Sequence, residues 1–300
     1  MNWFKHRSNL PHILGLVALT VLSAVAPAQN PFRLSEEDEI ELGRLASAEI
    51  EKDLLLVGHP AVVNYVDDLG QALVRHSTRK DIAYTFKVVD SPEVNAFALP
   101  GGFIYVNRGM IEAAETEDEL AGVLAHEIAH VAARHGADQA ARAAMVQTGL
   151  GALGGLLGRG KSADLGQLAA QMAATGLFMR YSRQAEREAD RLGARMLYDA
   201  DLEPSAMVSF LEKLSALQEG APNAVRKFFA SHPSLAERIS NVSSLIASYD
   251  AGSRKARETP RLREVKQQLA ALPRPEVEAA EAAAALAAAA KPPAEPDARA

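Results

Sequence analysis

The chain has 300 residues, of which 48% are hydrophobic, 23% charged and 5% aromatic. This balance excludes a chain disordered throughout, a collagen-like repeat and a polytopic membrane protein, while leaving a disordered tail open. With 32 Lys+Arg against 38 Asp+Glu the net charge is −6, and no basic patch marks a nucleic-acid partner; the lack of cysteine excludes disulfides, zinc ribbons, lipoprotein attachment through Cys and thiol catalysis.

Basic Lys5, His6 and Arg7, apolar Ile13 to Val25 and small Ala26-Pro27-Ala28 have the layout of an export signal over residues 1–28. The expected location is therefore periplasmic or exported. The apolar run falls short of the roughly 20 residues of a spanning helix, and an uncleaved signal would keep the protein membrane-associated. Without Lys5 and Arg7 the basic side chains number 30 against 38 acidic, a net charge of −8 that suits a soluble protein.

Ser35 followed by Glu36-Glu37-Asp38 reads as a cap with acids in the first turn, starting a helix through about Val57. A second helix follows Pro60, with Val63, Val66, Leu69 and Leu73 at helical spacing. Ile82 to Val89, Val94 to Ala98 and Phe103 to Val106 read as strands, the last two separated by Leu99-Pro100-Gly101-Gly102. From Thr116 onward the pattern is helical, interrupted by seven glycines between Gly149 and Gly166, a segment that argues against a regular buried helix and reads as a surface loop or a flap. The expected fold is α+β, mostly helical, with a small sheet beside the helix that carries the chemistry. The domain expected over 29–250 is followed by a C-terminal helix in 251–272 and an Ala/Pro-rich solvated tail over 273–300.

Thr116 and Glu119 form a capping box, and the helix they start contains His126-Glu127-Ile128-Ala129-His130. Histidines four apart lie about 40° apart on a helix, so both imidazoles can reach one ion with Glu127 beside it. In this HExxH pattern the histidines bind zinc and the glutamate is the general base. A catalytic zinc takes three protein ligands and keeps an open position. The third is expected from Tyr181 to Gly193, where Glu186, Asp190 and Gly193 share a face and Glu188 points away, about 200° from Glu186. Glu186 can ligate, Asp190 can orient a ligating histidine, and Gly193 lets the two helices approach. His135 lies about 180° from His126 by the same wheel and is set aside as a ligand, and His59 and His76 are read as structural or solvated.

Together, Asn95-Ala96-Phe97-Ala98-Leu99-Pro100-Gly101-Gly102, His126 to His130, Tyr181 to Gly193, and Ser231-His232-Pro233 with Arg238 resemble one family of zinc endopeptidases. It includes the CAAX prenyl protease, the HtpX-like heat-shock proteases and the periplasmic beta-barrel assembly-enhancing protease. The resemblance implies a gluzincin fold, one Zn²⁺ per chain, His126, His130 and Glu186 as ligands and Glu127 as base. It also places a His-Pro loop near the metal, so His232 is a candidate fourth ligand that keeps the enzyme latent. Tyr181, His232 and Arg238 are candidate oxyanion donors, unranked. The Phe103 to Val106 strand, if it lies at the sheet edge, can pair with an extended substrate.

The chain departs from its relatives in lacking several spanning helices, and only 50 residues follow Asp250, too few for a helical repeat domain. The expectation is a compact periplasmic protease acting on unfolded or misfolded envelope polypeptides, with the outer-membrane assembly machinery as a candidate partner. A zinc-containing holdase with little proteolysis is the alternative.

Overall fold

The computed structural model describes residues 33–148, 161–176, 181–220, 226–249 and 259–274. The residues read as an export signal, those beyond Arg274 and positions 149–160 of the glycine-rich segment lie outside them. In chain order the elements are α1 (Glu36–Ile50), α2 (Pro60–Val74), β1 (Thr85–Val89), β2 (Ala96–Leu99), β3 (Phe103–Asn107), α3 (Arg108–Ala113), α4 (Glu117–Ala132) and α5 (His135–Thr148). After these come α6 (Lys161–Thr175), α7 (Arg183–Asp199), α8 (Ser205–Gly220), α9 (Arg226–Ser231), α10 (Leu235–Ile246) and α11 (Pro260–Ala271).

The α+β expectation holds, with a three-stranded sheet among helices. Strand order is β1-β3-β2, with β1 parallel and β2 antiparallel to β3. Side chains alternate across this sheet as the period of two requires. Phe86, Val88, Ala96, Ala98, Ile104 and Val106 join the core that contains α2, α4 and α8, while Val89, Phe97, Leu99 and Tyr105 join one with α1 and α6. The sheet thus separates two apolar layers, and α4 lies on the larger one with every side chain from Asp118 to Val131 buried.

Three local expectations are corrected. The first helix stops at Ile50, because the chain beyond it turns to run along β1: Val57 N–H donates to Val88 at 2.8 Å and Asp90 N–H to Leu55 at 2.7 Å. Residues Lys161 to Gly166 are helical, since they open α6, where Leu165 is buried and a side chain at Gly166 would meet open space. Most consequential, the Phe103–Asn107 strand is central and has no edge to offer a substrate. Among the described residues the open edge beside α4 is that of β2, because the chain around Leu56 bridges to Val89 on the far side of β1.

The caps that start the functional helices are those expected. Thr116 accepts from Glu119 N–H at 3.1 Å and Ser182 from Ala185 N–H at 3.2 Å, satisfying donors that a helix start leaves free. The reciprocal arm of the first box is shifted by one residue, with Glu119 accepting from Glu115 N–H at 2.7 Å. At the other end of the chain, α11 buries Leu262, Val265 and Leu269 and packs against α2. Arg108 fixes its end by donating to the carbonyls of Leu269, Leu272 and Pro273.

Candidate metal centre

Two helices and one loop build the site. On α4, His126 and His130 point the same way, with Nε2 atoms 3.0 Å apart. On α7, Glu186 reaches them: Oε2 is 3.5 Å from His126 Nε2, and Oε1 is 3.4 Å from His130 Nε2. The helices can cross this closely because α7 carries Gly193 at the contact, where a Cβ would sit 3.2 Å from the backbone nitrogen of His126. The loop before α10 supplies His232, whose Nδ1 is 3.2 Å from both Glu186 oxygens and 3.4 Å from His126 Nε2.

Ligand atoms from His126, His130, Glu186 and His232 all lie within 4.8 Å of one another, and all four residues are buried. Nitrogen and carboxylate donors at this spacing suit zinc. The charges fit as well. Glu127, Glu186 and Asp190 are buried carboxylates facing one buried guanidinium, Arg238, among the described residues. Uncompensated charge is costly to bury, so a dication balances what the protein leaves negative.

The surroundings hold these groups in place. Asp190 Oδ1 is 3.0 Å from His126 Nδ1, so it orients the ring whose Nε2 faces the cluster. Arg238 donates to Asp190 through Nε and Nη2 at 2.8 and 2.6 Å, and its Nη1 lies 3.0 Å from Glu186 Oε2. Burial pushes both carboxyls up, yet their neighbours outweigh it: the Arg238 guanidinium holds Asp190 well below the usual carboxylate range, and the surroundings of Glu186, Arg238 among them, do the same for Glu186. Burial raises Glu127 instead, and pulls His130 down toward the neutral imidazole a ligand requires. The Tyr181 ring stacks on His130 with centroids 3.8 Å apart, its hydroxyl 3.5 Å from the Ala98 carbonyl on β2.

All eight residues singled out in the sequence, His126, Glu127, His130, Tyr181, Glu186, Asp190, His232 and Arg238, therefore meet in one buried cluster. Arg238 is committed to two carboxylates, Asp190 and Glu186. His232 is 1% exposed, although it lies in a loop. Two residues escaped the sequence reading. Glu39, which follows Glu36-Glu37-Asp38, was not singled out and is fully buried, and His135 was placed by a wheel drawn through a helix that ends at Ala132.

A buried His-His-Glu set on two crossed helices, with a glutamate beside the first histidine, defines a zinc-peptidase centre of the gluzincin kind. Residues 60–246 match peptidase family M48, and the chain belongs to this family of zinc metallopeptidases. It is 33% identical over 188 residues to the beta-barrel assembly-enhancing protease of Escherichia coli K12, covering 60% of this chain and 38% of that one. It is 35% identical over 187 residues to the mitochondrial metalloendopeptidase OMA1 of Schizosaccharomyces pombe, covering 61% and 52%. With the metalloprotease LoiP of Escherichia coli K12 it shares 28% over 228 residues, covering 74% and 86%. The chain thus matches well under two thirds of the length of the first two relatives.

Proposed function

We propose that this chain is a zinc-dependent endopeptidase that cleaves unfolded or misassembled polypeptides of the cell envelope. The observation that carries the reading is Glu127. It lies beside the ligand set with Oε2 buried and without a hydrogen-bond partner, while Oε1 is 3.6 Å from His232 Nε2. An unpartnered buried carboxylate oxygen is costly unless a donor arrives, and the attacking water is such a donor. Zinc supplies a Lewis acid that brings the pKa of water from 15.7 toward roughly 7. Glu127 accepts the water's proton and returns it to the leaving amine, and its burial-raised pKa brings it nearer to working pH. An extended substrate would lie along β2, whose outward backbone at Ala98 faces Tyr181. The purified chain should contain zinc and degrade casein, and a chelator should abolish the degradation; zinc-loaded protein inert toward casein would remove the endopeptidase reading.

Residues 1–28 serve in this reading as an export leader, 29–250 as the catalytic domain, and 273–300 as a solvated tail. Support comes from the leader's layout and from the name of the assembly-enhancing relatives, which also makes the outer-membrane assembly machinery a candidate partner. Among the described residues no helix is long and apolar enough to cross a membrane. N-terminal sequencing of protein recovered from the periplasm should begin near Gln29; recovery in the cytoplasm with Met1 intact would overturn the location.

One observation favours a second reading. His232 supplies a fourth donor, and a closed four-donor site is the mark of structural zinc, compatible with a holdase. In a latent protease the same contact excludes water until the loop moves. His232→Ala separates the two. In a latent protease, basal casein turnover rises several-fold with zinc retained; if zinc affinity falls and casein stays intact, the holdase gains. Unchanged turnover and zinc affinity would make His232 scaffold.

A further inference from the structure

The two α4 histidines differ in what holds their outer nitrogens. His126 has Asp190; for His130 the holding group begins with a strained turn. Helix α4 ends at Ala132, and Arg134 adopts φ 62°, a left-handed conformation outside glycine. That conformation is strained for an L-residue and persists where the surroundings over-determine it. Here they do. Arg134 Nε donates to Glu39 Oε2 at 2.5 Å and its Nη2 donates to the Leu34 carbonyl at 2.7 Å. Glu39, fully buried, is itself anchored by Arg79 Nη1 at 2.8 Å and by the Gly101 N–H at 3.3 Å.

The turn breaks the helical wheel and carries the next residue back over α4. His135 Nδ1 reaches 3.0 Å from His130 Nδ1, with ring centroids 5.0 Å apart at 69°. On its other side His135 Nε2 is 3.4 Å from Glu188 Oε2, the carboxylate that faces away from the cluster. Because His130 turns Nε2 to the cluster, its Nδ1 carries the proton when Nε2 ligates. Two neutral rings in Nδ1-to-Nδ1 contact then have one workable pattern. His130 Nδ1–H donates, His135 Nδ1 accepts, and the remaining proton of His135 sits on Nε2, the atom that faces Glu188.

We infer that His135 and Glu188 are positioning residues that hold His130 in its ligating tautomer, with the left-handed turn at Arg134 delivering His135 to that task. The inference rests on reading the cluster as a zinc site. It gives each α4 ligand an outer partner: a buried carboxylate for His126, and a histidine backed by a half-exposed carboxylate for His130. Outer partners of this kind typically affect metal affinity 10–100-fold.

The test is Zn²⁺ affinity, read by competition with a chelating dye, for the full chain and for His135→Leu, His135→Gln and Glu188→Ala. His135→Leu should bind Zn²⁺ about 10–100-fold more weakly. His135→Gln, whose Oε1 can accept from His130 Nδ1–H, should stay within about threefold of the parental value. Glu188→Ala should lose about threefold or more. It alters a side chain 46% exposed, so it keeps the test alive if His135→Leu fails to fold. The ligand field of the Co²⁺-substituted protein should shift in His135→Leu and be restored in His135→Gln, which loss of mere packing would not produce. Parental affinity in His135→Leu, or equal losses in Leu and Gln, would overturn the role of His135, and parental affinity in Glu188→Ala would remove Glu188 from it. If the parental chain itself binds no Zn²⁺, the metal-site reading fails together with this one, which the uniform failure of all four proteins would reveal.

Discussion

Glu127→Gln should bind zinc as the parental protein does and lose casein hydrolysis by at least about 10²-fold, the lower bound of what a positioned general base contributes. The substitution keeps the shape of the side chain in a position that is 1% exposed, so the packing of α4 is preserved. It removes the one property the reaction needs, an oxygen able to take a proton and carry it. The ligands are untouched: Glu127 Oε1 faces His232 Nε2 at 3.6 Å, while the cluster is built from Nδ1 of His232 and from the other three residues. Zinc content by mass spectrometry and initial rates on labelled casein separate the two effects. A variant that degrades casein at the parental rate would overturn Glu127 as the general base. Since an amide can also donate, Glu127→Ala serves as a control, and its zinc content should match that of the Gln variant.

Much of the site was legible because helical spacing converts sequence distance into direction with little error over a few turns. His126, His130, Glu186 and Asp190 all lie inside helices whose caps, Thr116 and Ser182, were readable, so the wheel placed them correctly. His232 and Arg238 were legible only by resemblance, since nothing in their spacing says what the loop before α10 covers. The wheel failed where its premise did. Extended past Ala132 it put His135 opposite His126, whereas the left-handed Arg134 returns it to His130. That turn is stabilised by Glu39, whose partner is 95 residues away, and no local pattern announces such a pairing. Sheet order escaped for a related reason. The antiparallel β2–β3 pair follows from the short Pro100–Gly102 connection, but β1 joins β3 in parallel through long-range packing, which moves the strand taken as a candidate edge into the centre.

Glu186→Gln should lower zinc affinity more than about 100-fold, beyond what loss of an outer partner typically costs, whereas Glu188→Gln should remain within about tenfold. The two glutamates sit two residues apart on α7, and a helix turns them about 200° from one another. In the structure the Glu186 side chain is 1% exposed, inside the cluster, and that of Glu188 is 46% exposed, on the outer side against His135. Neutralising Glu186 weakens the donor and leaves the Arg238 guanidinium, 3.0 Å away, without one of its two buried counter-charges. Both changes make a bound dication less favourable. The measurement is zinc retained after dialysis, together with the rise in melting temperature on adding zinc, which a protein that no longer binds the metal does not show. Equal retention by the two variants would mean that the ligand is not Glu186, and the wheel that selected it would have to be abandoned along with the third ligand.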